Sequence, residues 1–134
     1  MKVIICEPLK MARVEDIDNT LESMQEVVGG LIEFVYPPQL QEIDERLMLV
    51  CNEEGKLDGL RLSRPLYDTD GDLYDVIAGT CFITYDDGEG GCTDIPEAVI
   101  AWVMMRHDWR CYGTIMKLGG VYRWVLGGIE DEED

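Results

Sequence analysis

Leu66-Tyr67-Asp68-Thr69-Asp70-Gly71-Asp72-Leu73-Tyr74-Asp75-Val76-Ile77-Ala78-Gly79-Thr80-Cys81-Phe82-Ile83 is the stretch whose reading decides the fold. Its turn signal is Asp68-Thr69-Asp70-Gly71-Asp72: Asp side chains hydrogen-bond the nearby backbone, and Gly takes conformations that other residues avoid. Leu66-Tyr67 and Leu73-Tyr74 on either side read as the arms of a hairpin, and the run from Val76 to Ile83 reads as the last strand of a meander. The centre of the chain is therefore expected to be antiparallel sheet.

Upstream, Leu47-Met48-Leu49-Val50-Cys51 has strand character, and Asn52-Glu53-Glu54-Gly55-Lys56 invites a hairpin. Leu31-Ile32-Glu33-Phe34-Val35-Tyr36 is a strand ended by Pro37-Pro38, and residues 39–46 form a polar insert, either a short helix or a loop. Met1-Lys2-Val3-Ile4-Ile5-Cys6 reads as the first strand. From Val14 to Val28, apolar Ile17, Leu21, Met24 and Val28 recur at helical spacing before Gly29-Gly30, which predicts one amphipathic helix. Downstream, Asp94-Ile95-Pro96-Glu97 predicts a capped helix start, and the helix should run to about Arg106 or His107. Gly119-Gly120 joins two strand-like runs in a two-residue hairpin, and Glu130-Asp131-Glu132-Glu133-Asp134 is an acidic tail.

The expected fold is α+β: an antiparallel sheet of about five strands with one amphipathic helix packed on it, then an apolar helix and a C-terminal hairpin. One domain should span residues 1–129, with the later helix and hairpin at 93–127 and the tail at 130–134. The segment Val99-Ile100-Ala101-Trp102-Val103-Met104-Met105 is apolar nearly all round, so it should be deeply packed or covered by a second chain. A homodimer through this segment is expected.

Composition narrows the function. The 134 residues hold 28 Asp or Glu and 11 Lys or Arg, a formal charge of -17, yet 46% are hydrophobic. This is a folded acidic domain rather than a disordered tail, and direct nucleic-acid binding as its main role is excluded by repulsion. The five cysteines are odd in number with no CxxC pair, which argues against a secreted disulfide framework. No apolar run approaches the roughly 20 residues of a membrane-spanning helix. A cytoplasmic protein without membrane contact is expected.

Chemical motifs are sparse. The Asp68 to Asp75 cluster fails the calcium-loop pattern, because Gly71 stands fourth rather than sixth and Gly79 stands where the bidentate Glu belongs. His107, the one histidine, precedes Cys111 at half of a zinc spacing, but no second pair follows. No nucleophile elbow, P-loop or dinucleotide-binding glycine pattern is present. No metal, cofactor or catalytic residue is therefore assigned, and the protein is not expected to be an enzyme.

Two binding sites remain as candidates. Glu15, Asp18, Glu22 and Glu26 fall opposite the apolar face of the first predicted helix and form a carboxylate stripe, with Glu22 and Glu26 too far from the helix start for its dipole to favour them. Lys56, Arg61 and Arg64, with Asn52 and Thr80, could form an anion pocket for a nucleotide or other phosphorylated ligand.

Several segments, taken in order, resemble a known family. They are Glu7-Pro8 after the first strand, Glu26-Val27-Val28-Gly29-Gly30 followed by Ile32-Glu33-Phe34-Val35-Tyr36-Pro37, Val50-Cys51-Asn52-Glu53-Glu54-Gly55-Lys56, Arg64-Pro65-Leu66-Tyr67-Asp68 and Asp75-Val76-Ile77-Ala78-Gly79-Thr80. Together they are similar to the DUF3846 family of bacterial and phage proteins over about residues 2–85. The insert at 39–46 and the residues after about 108 look like additions to that pattern. The resemblance implies no activity, but it implies a phage or mobile-element setting. With the acidity, that setting leads to the first expectation: an accessory protein that inhibits a host nucleic-acid-handling or defence protein by occupying its basic surface, in part as a DNA mimic of anti-CRISPR or anti-restriction type. The second expectation is a binder that sequesters a nucleotide or phosphorylated signal.

Overall fold

The computed structural model describes residues 1–127, so the expected acidic tail at 130–134 and the end of the expected 1–129 domain lie outside the described residues. Strands β1 (Lys2–Cys6) and β2 (Arg13–Asp16) precede helix α1 (Leu21–Val28), followed by β3 (Ile32–Val35), the single turn α2 (Pro38–Gln41) and β4 (Leu47–Asn52). Next come β5 (Leu62–Tyr67), β6 (Leu73–Ala78), β7 (Cys81–Asp86) and β8 (Cys92–Thr93). Helices α3 (Glu97–Met104) and α4 (His107–Arg110) lead to β9 (Gly113–Leu118) and β10 (Val121–Leu126).

The fold is α+β. The main sheet runs β2-β1-β7-β4-β3 with β8 beside β7, and all its pairings are antiparallel. Ribbons β5–β6 and β9–β10 stand apart from it. Interior strand β4 is buried along its whole length, and its successive side chains feed two cores in turn. Leu47, Leu49 and Cys51 join Ile4, Cys6 and Ile83 under Leu40, Leu66, Ile77, Val99, Val103 and Trp109. Met48 and Val50 join Val3, Ile5 and Phe82 under Met24 and Val28 of α1. One face of the sheet thus carries α1, and the other carries α2, the β5–β6 ribbon, α3 and α4.

Four expectations are corrected. Residues 14–16 are not helical: with Arg13 they pair with β1, and α1 begins only after Thr20, whose Oγ1 accepts the Ser23 N–H at 3.1 Å. A strand pairing over β1 outweighs helical spacing in a segment with no cap of its own. The turn after β4 does not make a hairpin with β5, because β3 and β7 already occupy both edges of β4. The run from Val76 to Ile83 is two strands rather than one. Gly79, at φ +87°, breaks it, sending β6 to its ribbon and β7 to the sheet centre. Finally, Asp94 does not cap the apolar helix, because its Oδ1 accepts the Lys2 N–H at 2.6 Å; α3 starts after Pro96 and ends at Met104.

The C-terminal hairpin forms as expected. Gly119 and Gly120 take φ +59° and +83°, the pair of positive values that a type I′ turn demands. In α3, Val99 and Val103 face the core, whereas Trp102 is 52% exposed and Met105, just after the helix, is 74% exposed. Apolarity on every side of this helix therefore resolves into a packed stripe and a solvent-facing one.

Candidate functional site

Arg64 does not line a pocket. It is fully buried, turned inward where the β5–β6 register shifts between Leu62 and Arg64. Its guanidinium donates to four carbonyl oxygens: Nε to Trp109 at 2.7 Å, Nη1 to Ser63 at 2.9 Å and Glu7 at 3.1 Å, and Nη2 to Lys10 at 2.8 Å. A buried charge is tolerated only when its donors are satisfied, and here they bind the loop after β1, β5 and α4 to one another. Beside it, Ser63 Oγ donates to the Cys6 carbonyl at 2.9 Å. The Cys6 thiol is lowered by its hydrogen bond with Cys81 and by the Arg64 charge, and that same hydrogen bond, with burial, pushes Cys81 up.

The other residues of the expected anion pocket divide between two places, Asn52 and Lys56 at one cleft and Arg61 and Thr80 elsewhere. Asn52 is buried at the end of β4, donating to the Val28 carbonyl at 3.3 Å and accepting from the Glu54 N–H at 2.8 Å. Lys56 is ion-paired with Asp75. Arg61 and Thr80 lie together in a different, shallow depression beside Gly79 and Pro8. The five side chains do not converge, because the Gly79 break carries Thr80 away from the β6 face on which Asp75 holds Lys56.

An alternative site does form. An open cleft of about 250 Å³ lies between the β3–β4 edge of the main sheet and β6. Its floor is apolar, from Val35, Leu66 and Ile77, and its rim carries Glu33, Glu53, Glu54 and Asp75, with Lys56 as the basic lining residue. Cys51 at its base is pushed up to about 12, first by burial and then by the charges of Glu33 and Asp75. Such a thiol stays protonated at neutral pH and is a poor nucleophile. The cleft can hold a cation or a hydrogen-bond donor; an anion would meet its carboxylates. Nothing in the local sequence flags it, since Glu33 and Asp75 lie far apart in the chain, and the one hint is a Glu in the middle of the apolar β3 run.

The carboxylate stripe is shorter than expected. Glu15 lies on β2, where its Oε1 accepts Arg13 Nε at 2.7 Å, and Asp18 lies in the connection before α1. Glu22 and Glu26 remain on the exposed face of α1 with no ion pair among the described residues. Because α1 starts at Leu21, Glu22 occupies its first turn, where the helix dipole favours it, contrary to the expectation for a longer helix.

Several cations are taken up by carboxylates. Arg13 and Lys10 pair with Glu7, Arg106 with Glu42, and Lys2 with Glu97. Arg46 donates to the Asp86 carbonyl at 2.8 Å and stacks on Tyr85. Glu7 is held below the usual carboxylate range, chiefly by its hydrogen bond with Arg13, whereas burial pushes Asp108 above it despite Arg106. Asp68 turns its Oδ1 onto the Asp70 and Asp72 N–H groups, both at 2.9 Å, as an Asp-rich turn should. His107 is exposed at the start of α4, Cys111 is buried after it, and Cys92 sits under α1 against Met24. Among the described residues, no group of three His, Cys, Asp or Glu side chains is arranged to hold a metal.

A family model, the domain of unknown function DUF3846, matches residues 1–108. The chain belongs to this family. The DUF3846 match runs beyond the residues that carried the resemblance, through β8 and α3 into α4, and the β9–β10 hairpin lies outside it. No curated protein and no solved structure matches the chain. Among the described residues, no helix is long and apolar enough to cross a membrane.

Proposed function

We propose that the protein is an acidic binding module that occupies the basic, nucleic-acid-binding surface of a host protein and inhibits it, in the setting of a phage or mobile element. The observation that carries this reading is the disposition of charge. Six of the eleven basic side chains are ion-paired or buried, namely Lys2, Lys10, Arg13, Lys56, Arg64 and Arg106, whereas carboxylates such as Glu22, Glu26, Glu53 and Glu54 face solvent without ion pairs among the described residues. A surface of this kind steers towards a groove built for phosphates, by long-range attraction that needs no base recognition. Capture of a nucleotide has less support, because Arg64 is committed to carbonyls and Lys56 to Asp75.

The test uses the chain immobilised against host lysate, with duplex DNA as competitor. A captured protein should be displaced by DNA and should bind at least about tenfold more weakly at high than at low salt, because exposed charges are screened beyond roughly 10 Å at 0.1 M. Reversal of Glu22, Glu26, Glu53 and Glu54 to Lys should abolish capture. Capture indifferent to DNA, salt and charge reversal would sink the proposal.

A further inference from the structure

The cleft between the β3–β4 edge and β6 has an apolar floor and an acidic rim, and an ammonium already pairs with that rim. Lys56, carried on the exposed turn after β4, reaches across to Asp75 at the solvent-exposed mouth of the cleft. Asp75 Oδ1 also accepts the Val76 N–H at 2.8 Å, which fixes the carboxylate in place. Glu33, Glu53 and Glu54 remain around it with no ion pair among the described residues. Tyr74 adds an aromatic wall, the kind of surface that attracts a cation.

We propose that this cleft is a receptor for an alkyl chain ending in a cation, an ammonium or a guanidinium. This deepens, and rests on, the reading of the protein as a binder of basic surfaces. The apolar floor suits the methylene stem and the rim suits the charged head, which is how long basic side chains divide between apolar and polar surroundings. Size points the same way. Sites for drug-sized ligands span about 300–1,000 Å³, and this cleft, at about 250 Å³, suits one side chain or a short diamine.

The test is titration of the full chain with agmatine, and separately with acetyl-glycyl-arginyl-glycinamide, followed by calorimetry and by NMR shifts of residues around the cleft. Saturable binding with shifts at Glu33 and Asp75 is expected. Asp75→Asn and Glu33→Gln should each weaken it by about three- to tenfold, as for loss of one partly exposed charge contact, and Lys56→Ala should strengthen it. The control Glu22→Gln/Glu26→Gln removes charge elsewhere and should change affinity by less than about twofold. Agmatine without the peptide identifies a free polyamine as the source, and peptide binding identifies a protein side chain. Absence of saturation with both ligands, or equal weakening in the control, overturns the proposal. The two readings fail separately: a lost agmatine site leaves DNA-displaceable capture standing, and absence of such capture leaves the agmatine site standing.

Discussion

The two faces of the central sheet are closed by different means. On one, a single eight-residue helix lays Met24 and Val28 over Val3, Ile5, Met48, Val50 and Phe82, and a local cap and a local stop delimit it. On the other, α2, β5–β6, α3 and α4 meet around Trp109, tied by a buried guanidinium that draws on residues far apart in the chain. The first face depends on apolar area from neighbouring segments. The second depends on a polar junction that exists only when the whole chain is folded, so damage there should be larger and less local.

The strongest test of that contrast is Arg64→Ala. It leaves the carbonyls of Glu7, Lys10, Ser63 and Trp109 without their donor and should cost on the order of 3–5 kcal/mol in denaturant unfolding. Arg64→Lys should recover little, because an ammonium cannot reproduce the planar fork. On the α1 face, Met24→Ala should cost about 2–4 kcal/mol through the cavity it leaves, with no effect on the distant junction. A Met24 loss equal to or larger than the Arg64 loss would break the comparison.

Smaller effects sharpen it. Thr20→Ala removes the α1 cap and should cost about 1 kcal/mol. Two carboxylates near the junction should respond oppositely to pH. Glu7, lowered by Arg13 and Lys10, contributes stability above its unfolded value and loses that contribution as pH falls through its lowered folded value, so Glu7→Gln should flatten the acid side of the stability curve. Asp108, raised by burial, contributes stability in its protonated form and loses that contribution as pH rises through its raised folded value. Asp108→Asn should therefore gain on the wild type as pH rises across that range, and a gain that appears instead on acidification would refute the assignment. The smallest effect is Glu26→Lys, which turns the i,i+4 repulsion with Glu22 into attraction near the end of α1 and should raise stability by a few tenths of a kcal/mol.

Much of the architecture was legible because its causes are local. Gly119-Gly120 is a turn by backbone sterics alone, Gly29 at φ +79° stops α1 on the same ground, and the unbroken apolar run from Leu47 to Cys51 reads as a strand. The misreadings share one cause, which is that pairing partners are not local. Val14 to Asp16 carry an acceptable helical pattern until β1 offers an edge, and Val76 to Ile83 are strand-forming until Gly79 divides them between two sheets. The candidate site was less legible than the fold. Charge, apolar patterning and turn chemistry are properties of the residues themselves, so the sequence by itself determined an acidic α+β domain with an apolar segment at Val99 to Met105. Which cation is buried and which is offered to a cleft was decided by tertiary structure. Arg64 and Lys56 have the same charge, and their roles differ because one meets four converging carbonyls and the other meets the exposed Asp75 across a turn.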